Sequence, residues 1–131
     1  MSLIPRRKPT VRFCTPNTIE LRELTIAHTG VSLNPVRIAY AWFQFHIKAS
    51  QFGAVMGRGG SRLSQIRRLT GCRIRIHDEN QRGMHLVMVR HKESQSQVHT
   101  ANLLIAIAIS VFSRPNTGHL SLLEAIDIID S

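Results

Sequence analysis

Gly57-Arg58-Gly59-Gly60 followed by Ser61-Arg62 is the stretch whose residue types and spacing point most directly to a chemistry. Glycines at 57 and 60 free the backbone for positive φ and remove the side chains that would block a close approach. Ser61 opens a helical pattern, so unpaired N–H groups and the positive end of the helix dipole point into the same gap, an arrangement suited to a phosphate. Arg58 inside the loop and Arg62 one turn into the helix can add charge to those donors. A plain helix–helix turn would use the same glycines. Two rival glycine loops fail on their chemistry. A nucleoside-triphosphate loop needs a lysine and a hydroxyl residue after its last glycine, where this chain has Ser61-Arg62; a dinucleotide fingerprint needs glycine at position 62 and a strand directly before the loop.

The elements that must position this loop follow from hydrophobic period. Val36 to Ile47 alternates strictly, with Ala39, Ala41, Phe43, Phe45 and Ile47 on one face, and reads as one long strand. Gln51 to Met56 reads as a short helix. Ser61 to Leu69 reads as a second, with Leu63, Ile66 and Leu69 on one side and Gly71 to end it. Arg73 to His77 alternates as a strand, Asp78 to Gly83 is a polar loop, and Met84 to Arg90 is a further strand. Ser94 to Phe112 gives a helix of about five turns. The order is strand, helix, helix, strand, strand, helix.

Charge narrows the partner class. Lys and Arg number 17 against 8 Asp and Glu, and residues 36–113 hold eleven of the bases and three of the acids, a net of +8. Such a segment attracts polyanions, with nucleic acid first and an anionic membrane surface a distant second. The longest apolar run, Leu103 to Ile109, is far short of the roughly 20 residues of a membrane span, and no signal pattern opens the chain. The expectation is an intracellular protein, cytoplasmic or nuclear, with no membrane partner. Cys14 and Cys72 lack metal or disulfide spacing, and the seven histidines show no i, i+4 pairing, so neither a metal nor a cofactor is expected. No carboxylate pair or nucleophile constellation suggests an enzyme.

Together these residues resemble a type I K homology (KH) domain. The run from Ile47 through Gly60 looks like that family's first strand, short helix and G-x-x-G loop, with Lys48 where many members have proline. Leu63 and Ile66 fall on its apolar helix positions, Leu69 through Ile76 looks like its helix end and next strand, and Ser94-Gln95-Ser96-Gln97-Val98 opens something similar to its last helix. The resemblance implies an α+β fold, β-α-α-β-β-α, with a three-stranded antiparallel sheet packed on three helices. It also implies a single-stranded RNA-binding module, with single-stranded DNA as a related ligand, in which about four nucleotides lie in a groove. The loop Gly57, Arg58, Gly59 and Gly60, with Arg62, would grip the backbone. Gly53, Ala54, Val55, Leu63, Ile66, Ile74 and Ile76 would form the floor, although Leu63 and Ile66 also suit a purely core role. Arg73, Arg75 and His77 would stand at the rim, while Arg67 and Arg68 suit solvated positions.

Flanks and surplus apolar surface complete the expectations. Residues 1–35 read as a basic arm with an extra element from Thr15 whose pattern fits either a helix or a strand, residues 36–113 as the KH domain, and residues 114–131 as an acidic amphipathic tail. The last helix is apolar all round, and Tyr40 and Trp42 lie opposite the core face of the first strand. Tyr40, Trp42, Leu103 and Ile107 therefore form a candidate interaction surface, covered by a homodimer partner, by another protein near the tail, or by the chain's own flanks.

Overall fold

The computed structural model of the chain describes residues 29–130, so the basic arm over residues 1–28 and most of the element expected from Thr15 lie outside the described residues. Val36–Arg37 form a short strand, β1, and Trp42–Lys48 form β2, paired antiparallel with Val36 opposite Gln44 and Arg37 opposite Phe43. The expected single strand is thus a hairpin. Ile38 N–H donates to the Trp42 carbonyl and Trp42 N–H to the Ala39 carbonyl. The Arg37 guanidinium clamps the bend by donating to the Tyr40 carbonyl from Nη2 at 2.8 Å and from Nε at 3.2 Å. Side-chain hydrogen bonding closes a turn whose residues, Ile38-Ala39-Tyr40-Ala41, contain none of the usual turn formers.

Helix α1 spans Ala49–Met56, followed by a short 3-10 turn over Arg58–Gly60 and helix α2 over Ser61–Thr70. Strands β3, Arg73–Ile76, and β4, Met84–Arg90, come next, and helix α3 spans Gln95–Phe112. The β-α-α-β-β-α order is present. The sheet is antiparallel and ordered β1-β2-β4-β3, so the two-residue β1 makes a fourth strand beside the three expected. Alternation sets its faces: Phe43, Phe45, Ile47, Ile74, Val87 and Val89 are buried in the core cluster that also contains helical residues.

Helix α3 is the spine of the core. Ser94 precedes it in extended conformation, and Gln97 Oε1 accepts the backbone N–H groups of Lys92 and Glu93 at 3.0 and 2.9 Å, so a capping side chain fixes where the helix begins. Residues Ala101 to Ile109 are buried without interruption. This helix is long and apolar enough to cross a membrane, but its apolar surface is spent inside the fold. Helices α1 and α2 pack on it, and so does a further helix, α4, Leu122–Asp130. Ser121 and Glu124 cap α4 reciprocally: Glu124 Oε1 accepts the Ser121 N–H at 2.8 Å, and Ser121 Oγ accepts the Glu124 N–H at 3.1 Å. The Ser121 donors hold the Glu124 carboxyl below its ordinary pKa. The segment 114–131 thus contains a docked helix.

Candidate functional site

The loop between α1 and α2 is built on left-handed backbone. Gly57, Gly59 and Gly60 have φ of 71°, 60° and 80°. At Gly57 a Cβ would lie 2.7 Å from Arg62 Cβ, so both conformation and space demand glycine there. At Gly60 the conformation alone does, since the nearest atom to a Cβ, Met56 Cε, would be 3.6 Å away. Gly57 N–H donates to the Gly53 carbonyl at 2.9 Å and closes α1. No side chain caps the start of α2, whose preceding residue is Gly60. Arg58 and Gly59 are exposed, and among the described residues the Arg58 guanidinium has no partner. The Gly60 N–H donates to the Gly57 carbonyl at 3.3 Å and the Ser61 N–H to the Arg58 carbonyl, so the cationic character of this surface comes from the exposed Arg58 guanidinium and the positive end of the α2 dipole.

Arg62 differs from its sequence expectation. Its Nη1 donates to the Ala54 carbonyl at 2.6 Å, and its guanidinium carbon lies 3.4 Å from the centre of the Phe112 ring. Burial lowers its pKa. The side chain ties α2 to α1 and to the end of α3, and so positions the loop from behind. Arg67 is also engaged: Nη2 and Nε donate to the Ile74 carbonyl at 2.6 and 3.0 Å, bridging α2 to β3.

The expected floor divides by depth. Val55, Leu63, Ile66 and Ile74 are buried at 3% exposure or less and belong to the core beneath the groove; Ala54 is also buried. Gly53 is exposed and Ile76 half-buried, so these two are the floor residues a ligand can reach. Leu69, expected beside Leu63 and Ile66, is 41% exposed. The buried stripe of α2 is Leu63, Ile66 and Thr70, because a 3.6-residue period turns position 69 away.

Arg73, Arg75 and His77 are exposed. Strand parity places Arg73 and Arg75 on the sheet face opposite Ile74 and Ile76, so one expected set of contacts lies on two sides of β3. A cavity of about 450 Å³ at this edge joins the sides, lined by Arg67, Cys72, Arg73, Ile74, Arg75 and Lys92. Four cations and no acid line it. Burial raises the Cys72 thiol pKa against the opposing Thr70 hydrogen bond, which makes this side chain a neutral wall. Sequence reasoning left Arg67 and Lys92 outside the site. The signal for Arg67 is the two-residue connection Gly71-Cys72, which brings the last turn of α2 beside β3.

The expected interaction surface is split as well. Tyr40 is 81% exposed at the hairpin bend, edge-on to the His91 ring, and Trp42 is half-buried. Leu103 and Ile107 are 2% and 0% exposed, in the same buried cluster as Leu122, Ala125 and Ile129 of α4. Their cover therefore comes from within the chain. The side of β2 away from β4 is likewise taken by β1.

Residues 43–106 match the family model of the KH domain, a span that begins inside β2 and ends within α3. No curated protein matches the chain.

Proposed function

The chain carries a KH domain at residues 43–106, and from that premise we propose that it is a single-stranded RNA-binding module acting in post-transcriptional regulation inside the cell. KH domains are typically single-stranded nucleic-acid-binding modules, usually without catalysis. The observation that carries the RNA reading is the exposed, uncapped loop Gly57–Gly60 with its free Arg58. Its charge attracts phosphate, and its glycines let a nucleic-acid backbone approach the positive end of the α2 dipole. From there a chain of about four nucleotides runs past Gly53 and Ile76 toward the cationic edge of β3, where Arg67, Arg73 and Arg75 meet phosphates or base edges. Arg62 acts by holding the loop in place. Val55, Leu63, Ile66 and Ile74 act by keeping the floor rigid. The module extends over residues 36–113, with α4 as added cover.

A second reading, a protein-interaction scaffold with weak RNA binding, is favoured by one feature: Val36, Ile38 and Tyr40 leave an apolar cluster exposed on the β1–β2 hairpin. Titration with randomised short RNA and single-stranded DNA at two salt concentrations separates the two. The RNA reading expects affinity to fall with salt by a log–log slope of about 0.7 per phosphate contacted. Arg58→Asp with Gly59→Asp should abolish binding and, because position 59 is left-handed but has open space around it, lower the melting temperature by several degrees while keeping a cooperative transition. Undiminished binding by that folded double variant would remove the loop from the mechanism. No binding by the parent at either salt would leave the scaffold reading.

A further inference from the structure

The open face of the sheet, opposite the helices, carries a row of side chains that starts at Arg73, where the groove ends, and continues to two that the groove does not use, Arg90 and Trp42. Arg73 of β3 pairs with Arg90 of β4, and Arg90 with Trp42 of β2, so these three cross the sheet in register. Neighbouring strands lie about 4.8 Å apart, which makes the row about 10 Å long. The Arg90 guanidinium carbon stands 5.8 Å from the Trp42 ring centre. Arg75 lies beside the row on β3, and none of β2, β3 and β4 contains an acid. Arg73, Arg75 and Arg90 are exposed, and Trp42 is half-buried.

We propose that this row is a second contact surface for the same single-stranded nucleic acid: the strand leaves the groove, rounds the edge of β3 and stacks a base on Trp42 while Arg90 and Arg73 hold its phosphates. The inference rests on the reading of the groove as a single-strand site and extends it beyond four nucleotides. Three observations carry it. The cavity at the β3 edge is lined by Arg67 and Cys72 from one side and by Arg73 and Arg75 from the other, so a cationic path joins groove and open face. The row pairs cations with an aromatic ring, the combination that holds unpaired nucleotides without reading sequence. Its charge also disfavours the chain's own upstream segment as cover, because residues 1–28 hold five basic and two acidic side chains.

Trp42 is the sole tryptophan of the chain, so its fluorescence reports on this face alone. A four-nucleotide oligoribonucleotide should bind without changing it, and a ten-nucleotide one should bind more tightly and quench it. Trp42→Ala should weaken the ten-nucleotide ligand about tenfold, within the range for one lost base stack. Arg90→Gln, which keeps the ring, should reduce its salt slope by about 0.7. Neither should alter affinity for the four-nucleotide ligand, whereas Arg58→Asp with Gly59→Asp should abolish both. Equal affinity of the parent for the two lengths, or an unquenched Trp42 with the longer one, overturns the second surface and leaves the groove reading intact. Failure of the parent to bind either length overturns both. A ten-residue polyglutamate peptide that quenches Trp42 more strongly than the oligonucleotide would assign the face to an acidic protein and also overturn the proposal.

Discussion

The loop at Gly57–Gly60 and the layer formed by α3 and α4 lie at opposite extremes of the same molecule. In the loop, backbone conformation is unusual, side chains are few, and Arg58 meets no partner among the described residues. In the layer, helix ends are capped by side chains and nine consecutive residues of α3 are buried. Burying one leucine or isoleucine side chain stabilises by roughly 1.5–3 kcal/mol, so a few positions of α3 rival the net stability of a domain. The loop contributes little of this kind, and its surface remains available to a ligand. Arg62 joins the two regions: its head lies on the Phe112 ring at the end of α3 and on the carbonyl of Ala54. The rigid half thereby holds the sparse half in shape.

Substitutions on each side should break this contrast in different ways. Leu103→Glu with Ile107→Glu places two unpaired carboxylates in the core at several kcal/mol each, and should abolish the cooperative thermal transition followed by circular dichroism. A parent-like melt would mean that these side chains are not buried. Arg62→Ala should cost about 1–3 kcal/mol in urea unfolding through the lost hydrogen bond and ring contact, whereas Arg58→Ala should change stability by less than about 0.5 kcal/mol. Equal costs would erase the distinction between a positioning and a ligand-facing arginine. The smallest effect concerns His99 of α3, whose pKa burial lowers from its ordinary 6.5. Its neutral form is favoured in the fold, so its contribution is fully present above pH 6.5 and is lost as pH falls through the lower folded value. Stability should decline from pH 7 to pH 5, and His99→Gln should flatten that decline; an unchanged slope would exclude His99 as its source.

The order of elements was legible because the loop glycines, the Gly71 helix stop and the alternation of Met84–Arg90 are local signals. Gly71 does cap α2, with φ of 71°, and β4 has the expected bounds. The β1–β2 hairpin was not legible. Its bend is apolar and keeps the alternating pattern, and the arginine that clamps it acts through a backbone carbonyl that no residue type reveals. The surplus apolar surface of α3 was legible as a need for cover. Which surface met the need depended on the capping pair Ser121 and Glu124, a start signal for α4 that sequence reasoning passed over. The resemblance implies Ile74 in the floor and Arg73 at the rim of one groove; what it does not convey is that strand geometry sends these adjacent side chains to opposite faces of the sheet.

The contact between Arg67 and the Ile74 carbonyl has a consequence for how the molecule behaves among its own copies. An antiparallel sheet ends in two rows of unmatched backbone groups, each a template on which another chain can add a strand. Here one border is β1, only two residues long, which offers little to copy. The other is β3, where Arg67 supplies two donors to the Ile74 carbonyl and Arg73 and Arg75 add like charge that repels a second copy. Among the described residues, a short border and a guarded one offer little template on which a second copy could add a strand.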